Sequence, residues 1–93
     1  MKEDLRAFDV SSYLESDEAI AEYLSAVLAD GDSEEIIRAI GHIAKAKGMS
    51  QIAEKTGLGR ESLYKTFTQG SKPRFETIAK VVHSFGFHFQ VVR

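Results

Sequence analysis

The chain has 93 residues, 43% apolar and 28% charged, enough for one domain with a modest core. It has no cysteine, no apolar run of bilayer-spanning length and no signal-peptide pattern, which excludes a disulfide scaffold, thiolate metal sites and a membrane span. The net charge of −2 conceals a division: residues 1–36 carry two basic side chains against eleven acidic ones, residues 37–93 ten against three. Such asymmetry implies two partners, a polyanion for the basic part and a basic protein for the acidic part, or else a front segment that is merely solvated.

Residues 6–10 offer a short strand, or place Phe8 in the core, and residues 11–14 a single helical turn. Ser16-Asp17-Glu18 is a helix start, a capping hydroxyl followed by acids that suit the positive end of the helix dipole. The helix from about 17 to 29 aligns Ile20, Tyr23, Leu24, Val27 and Leu28 on one stripe. Asp32 and Glu35 then stand at capping-box spacing, with Ser33 as the alternative cap. The helix over 33–47 buries Ile36, Ile37, Ile40, Ile43 and Ala44, and Gly48 stops it.

Residues 49–70, MSQIAEKTGLGRESLYKTFTQG, read as a helix-turn-helix. Ser50 caps a first helix, 50–56, that carries Ile52 and Ala53. Gly57 supplies the positive φ that a tight turn needs, and Leu58 plugs that turn into the core. A second helix, 60–69, turns Leu63 and Phe67 inward at i, i+4. Its other face shows Arg60, Glu61, Tyr64 and Lys65, long polar side chains suited to phosphates and base edges. The competing reading is an ordinary helical hairpin with a wet polar face.

Gly-Ser-Lys-Pro at 70–73 leads into a last helix, 75–84, with Phe75, Ile78, Ala79, Val82 and Phe85 inward and Gly86 closing it. The tail, Phe87-His-Phe-Gln-Val-Val-Arg93, alternates and is rich in aromatic and β-branched residues, so it reads as a strand. Its backbone needs a partner: segment 6–10, the same tail in a second copy, or another protein's sheet edge. The expected fold is all-α, five helices with a short C-terminal β-strand, in a single domain of 1–93. Within it, 1–30 is an acidic extension and helix, 33–86 the helical core and 87–93 the strand.

His42, His83 and His88 have no cysteine, carboxylate or second histidine at ligand spacing, so a structural role is favoured over a metal site. No glycine-rich phosphate loop and no nucleophile with a base at recognisable spacing occurs. Neither an enzyme nor a cofactor is expected.

The stretch SEEIIRAIGHIAKAKGMSQIAEKTGLGRESLYKTFTQGSKPRFETIAKVVHSFG resembles the helical core of phage-repressor (XRE/Cro-type) helix-turn-helix proteins. With the leading FDVSSYLESDEAIAEYLSAVLADGD and the terminal FHFQVV, residues 6–92 are more similar still to the addiction-module antidote family, antitoxins of bacterial toxin–antitoxin pairs. The resemblance implies a cytoplasmic antitoxin that binds a cognate small basic toxin of RelE/ParE-like type and represses their shared operon. On it, Ser50 and Gln51 match the start of the first motif helix, where a hydroxyl and an amide face phosphates. Arg60, Glu61, Ser62, Tyr64 and Lys65 match the recognition-helix positions. Two positions depart from the family pattern: Gly59 replaces a capping Ser or Thr, and Arg74 a small cap after Pro73.

On this reading Arg60 and Lys65 contact phosphates or guanine, and Glu61 accepts from cytosine or holds Arg60. Tyr64 stacks on sugar or a thymine methyl, or packs on the neighbouring helix, while Gln51 and Lys72 fix register on operator DNA. Asp17, Glu18 and Glu22 are the candidate toxin contacts. A homodimer is expected because two-fold proteins read inverted half-sites, with Phe87, Phe89 and Val91 as candidate contacts. The rivals are a stand-alone phage-type repressor and a protein-only inhibitor with a vestigial helix-turn-helix.

Overall fold

A computed structural model describes residues 16–93, and the expectations for 6–10 and 11–14 lie outside them. Five helices follow in order: α1 Asp17–Asp30, α2 Ser33–Lys47, α3 Met49–Thr56, α4 Arg60–Thr66 and α5 Phe75–Ser84. α1 packs on α2; α2 also meets α3 and α5; α3 packs against both α4 and α5. Every helix contributes to one buried cluster, centred on Ile40, Ile43, Ile52, Leu63, Val81 and Val82.

Side chains cap the first two helix starts. The Ala19 N–H donates to Ser16 Oγ at 3.0 Å, with Asp17 and Glu18 in the first turn. A full capping box opens α2: the Glu35 N–H donates to Asp32 Oδ1 at 2.9 Å, and the Asp32 N–H to Glu35 Oε1 at 3.0 Å. Gly48, at φ 105°, ends α2 through its N–H to Ala44 O while its own carbonyl accepts the first bond of α3. Two helices thus share one glycine cap. Ser50 therefore does not cap α3 as expected; it lies inside the first turn, exposed, and α3 has no side-chain cap.

Gly57 closes α3 in the left-handed region at φ 78°. Thr56 reinforces that turn, its hydroxyl donating to Ile52 O at 2.7 Å and accepting from the Leu58 N–H at 3.2 Å. α4 ends at Thr66, earlier than the expected 69. Thr68 and Ser71 donate their hydroxyls to Tyr64 O and Thr66 O, so terminal carbonyls are satisfied without another helical turn. Gly41 marks a close approach: a Cβ there would meet the Phe67 ring at 3.0 Å.

Four residues expected inward sit at the edge of the core or outside it. Phe75 is 70% exposed, and Val81 is fully buried in its place because α5 is packed by both α2 and α3. Leu28, near the end of α1, is 41% exposed, and Ile36 and Ile37 are only half-buried. The expected strand is not formed either: residues 87–93 adopt neither helix nor strand, and no strand among the described residues lies ready to pair with them. Rings anchor the tail instead, Phe87 against Phe85 at 6.4 Å between centroids and Phe89 against Phe75 at 5.5 Å.

Candidate nucleic-acid interface

α4 is anchored by a single fully buried residue, Leu63, with Phe67 half-buried just beyond its end. That leaves Arg60, Glu61, Ser62, Tyr64 and Lys65 all exposed along seven residues of helix. Arg60 lies over the Tyr64 ring, its guanidinium carbon 5.7 Å from the centroid and Nη2 donating to the tyrosine hydroxyl at 3.4 Å. Arg60 thus meets Tyr64 and forms no ion pair with Glu61 among the described residues. Tyr64 itself is 46% exposed and leans over a groove toward α2. Part of its ring thus faces the neighbouring helix and the rest faces solvent.

Ser50 and Gln51 are exposed in the first turn of α3, and Lys72 is exposed in the connection to α5. Arg60, Lys65 and Lys72 make no ion pair among the described residues. Gly59 caps α4 without a side-chain bond, as does Arg74 for α5. The departures noted at these positions thus leave both helices with unassisted N-termini.

The acidic front is a separate surface. Asp17, Glu18 and Glu22 are all exposed on α1, but Asp17 is already engaged by Lys47 at 3.1 Å. Between α1 and α2, the Tyr23 hydroxyl meets His42 Nδ1 at 3.4 Å. Burial pushes the Tyr23 hydroxyl above its usual range, with the Arg38 guanidinium pulling the other way. His83 lies at the chain's other end, its ring 6.3 Å from Phe89, and His88 is exposed in the tail.

Arg38 and Lys45 were not singled out in the sequence, yet they line the groove that Tyr64 overhangs. With His42 they recur at i, i+4 and i+7 along the polar face of α2, and that spacing was the available signal.

A short exposed helix bearing Arg60, Tyr64 and Lys65, with a carboxylate-rich helix elsewhere, defines a small helical protein with two oppositely charged surfaces. The chain belongs to a family described as probable addiction module antidote proteins, whose model matches residues 4–93. It is 43% identical to an uncharacterized protein of Haemophilus influenzae (strain Rd), over 98% of this chain and 94% of that protein. No solved structure matches it. None of the described helices is long and apolar enough to cross a membrane.

Proposed function

We propose that this protein is an antitoxin that neutralises a cognate RelE/ParE-like toxin and represses its own operon in the cytoplasm. Membership of the antidote family supports the antitoxin part of the reading. The observation that carries the DNA-binding part is α4, a helix held by one buried leucine that turns Arg60, Tyr64 and Lys65 to solvent, with neither Arg60 nor Lys65 in an ion pair among the described residues. In this reading α3, the Gly57 turn and α4 act as the helix-turn-helix of a phage-repressor-like domain. α4 enters the major groove, Arg60 and Lys65 contact guanine or phosphate, and Ser50, Gln51 and Lys72 hold the backbone. Glu61 and Ser62 complete the edge that faces the bases.

The toxin meets the acidic front, where Glu18 and Glu22 are unpaired among the described residues and attract a basic partner. Dimerisation brings two α4 helices to an inverted repeat. The exposed Phe89 and Val91, rather than the half-buried Phe87, supply its contact.

Co-expression with the small open reading frame adjacent to its gene tests the reading. The expected result is a co-purifying partner, toxic alone and harmless in company, with the complex bound to the shared promoter. Promoter binding without such a partner would remove the antitoxin half. A partner without promoter binding would remove the repressor half.

A further inference from the structure

The groove between α2 and α4 is lined by Arg38, His42 and Lys45 from one helix and by Tyr64 and Thr68 from the other side. Among the described residues no carboxylate lines it. Among the described residues neither Arg38 nor Lys45 forms an ion pair, whereas Lys47, two residues beyond Lys45, is tied to Asp17. Arg60, lying over Tyr64, carries positive charge onward from this groove onto α4. Asp30, Glu34 and Glu35 line the grooves on the other sides of Arg38, yet none pairs with it among the described residues. Exposed cations left unpaired in this way, continuous with the exposed α4 helix, fit a polyanion better than a compact ligand.

We propose that the Arg38–Lys45 stripe of α2 receives the phosphate backbone of the duplex whose bases α4 reads. The inference rests on the DNA-binding reading above and extends it to a helix outside the α3–α4 pair. Seven residues of helix separate Arg38 and Lys45 by about 10 Å, so the two side chains reach different phosphates. Both contacts are with the backbone. They strengthen binding to every sequence alike and leave discrimination to Arg60 and its neighbours.

The test uses the full-length protein and two labelled duplexes, one selected by the wild type from a random pool and one scrambled. Binding is measured across a salt series for wild type, Arg38→Gln/Lys45→Gln and Arg60→Ala. A fourth variant, Lys80→Gln/Arg93→Gln, removes the same charge elsewhere, and thermal melts check that each variant folds. The α2 double variant should bind both duplexes more weakly by the same factor. Its slope of log affinity against log salt should be shallower by about two, roughly one per lost phosphate contact. Arg60→Ala should instead lose preference for the selected duplex, and the charge control should keep the wild-type slope. A wild-type slope in the α2 double variant, or an equal loss in the charge control, overturns the proposal while DNA binding stands. A wild type that selects and binds no duplex overturns the DNA-binding reading, and this inference with it.

Discussion

The acidic helix α1 brings its own local support, whereas the cationic helix α4 borrows nearly all of it. α1 has 14 residues, a capping serine, two acids in its first turn and two residues, Ile20 and Leu24, in the core. α4 is half as long, begins at an unassisted glycine and buries only Leu63. A seven-residue helix is unstable alone, so tertiary packing must hold it. The lesson is a division of labour: where one leucine does the holding, nearly every other side chain of the helix is available for contact with a partner.

The contrast breaks most sharply at the anchors. Leu63→Ala should cost about 2–5 kcal/mol in urea unfolding and take DNA binding with it. Leu28→Ala on α1, where the side chain is 41% exposed, should cost about 1 kcal/mol or less. Arg60→Ala should leave the unfolding midpoint nearly unchanged and remove about 1–3 kcal/mol of discrimination between operator and scrambled DNA. On the acidic side, Asp17→Asn/Glu18→Gln/Glu22→Gln should slow toxin association at low salt and converge with wild type at high salt. Toxin binding unchanged at every salt concentration would end the case for α1 as an electrostatic contact.

Smaller effects sharpen the comparison. Gly59→Ser should stabilise the fold by about a few tenths of a kcal/mol, since residue 59 already has extended dihedrals and open space for a side chain. Tyr23→Phe should flatten the fall of stability at alkaline pH. Burial raises the folded hydroxyl above 10.0, so as pH rises the unfolded chain loses that proton first. Tyr23 therefore contributes its full stability below about pH 10 and loses it as pH climbs toward the folded value. Urea midpoints at about pH 9 and pH 11 should diverge less in the phenylalanine variant than in wild type.

Helix ends were legible in the sequence wherever a side chain or a glycine writes them locally, as at Ser16, the Asp32–Glu35 pair, Gly48 and Gly57. What escaped depends on neighbours. Phe75 satisfies helical spacing with Ile78, but two flanking helices select Val81 instead, and Phe75 is left to Phe89. Ser50 resembles a cap, yet the φ of 105° at Gly48 starts α3 before the serine can act. The tail's alternation describes an extended chain without supplying the second strand that a ladder requires. Of the candidate site, the exposed face of α4 was readable because Leu63 and Phe67 fix which side is inward. Arg38 and Lys45 were not, because a polar stripe does not announce which helix overlooks it.

Gly41 gives the α2–α4 pair its gauge. With only hydrogen at that position, the Phe67 ring seats directly on α2, and an added methyl would have to displace it by a few tenths of an ångström. The relative reach of Tyr64 and Arg60 on one helix, and of Arg38 and Lys45 on the other, is thus set by a side chain that is not there. Substitution at residue 41 would tune the fit between two surfaces without altering a group on either.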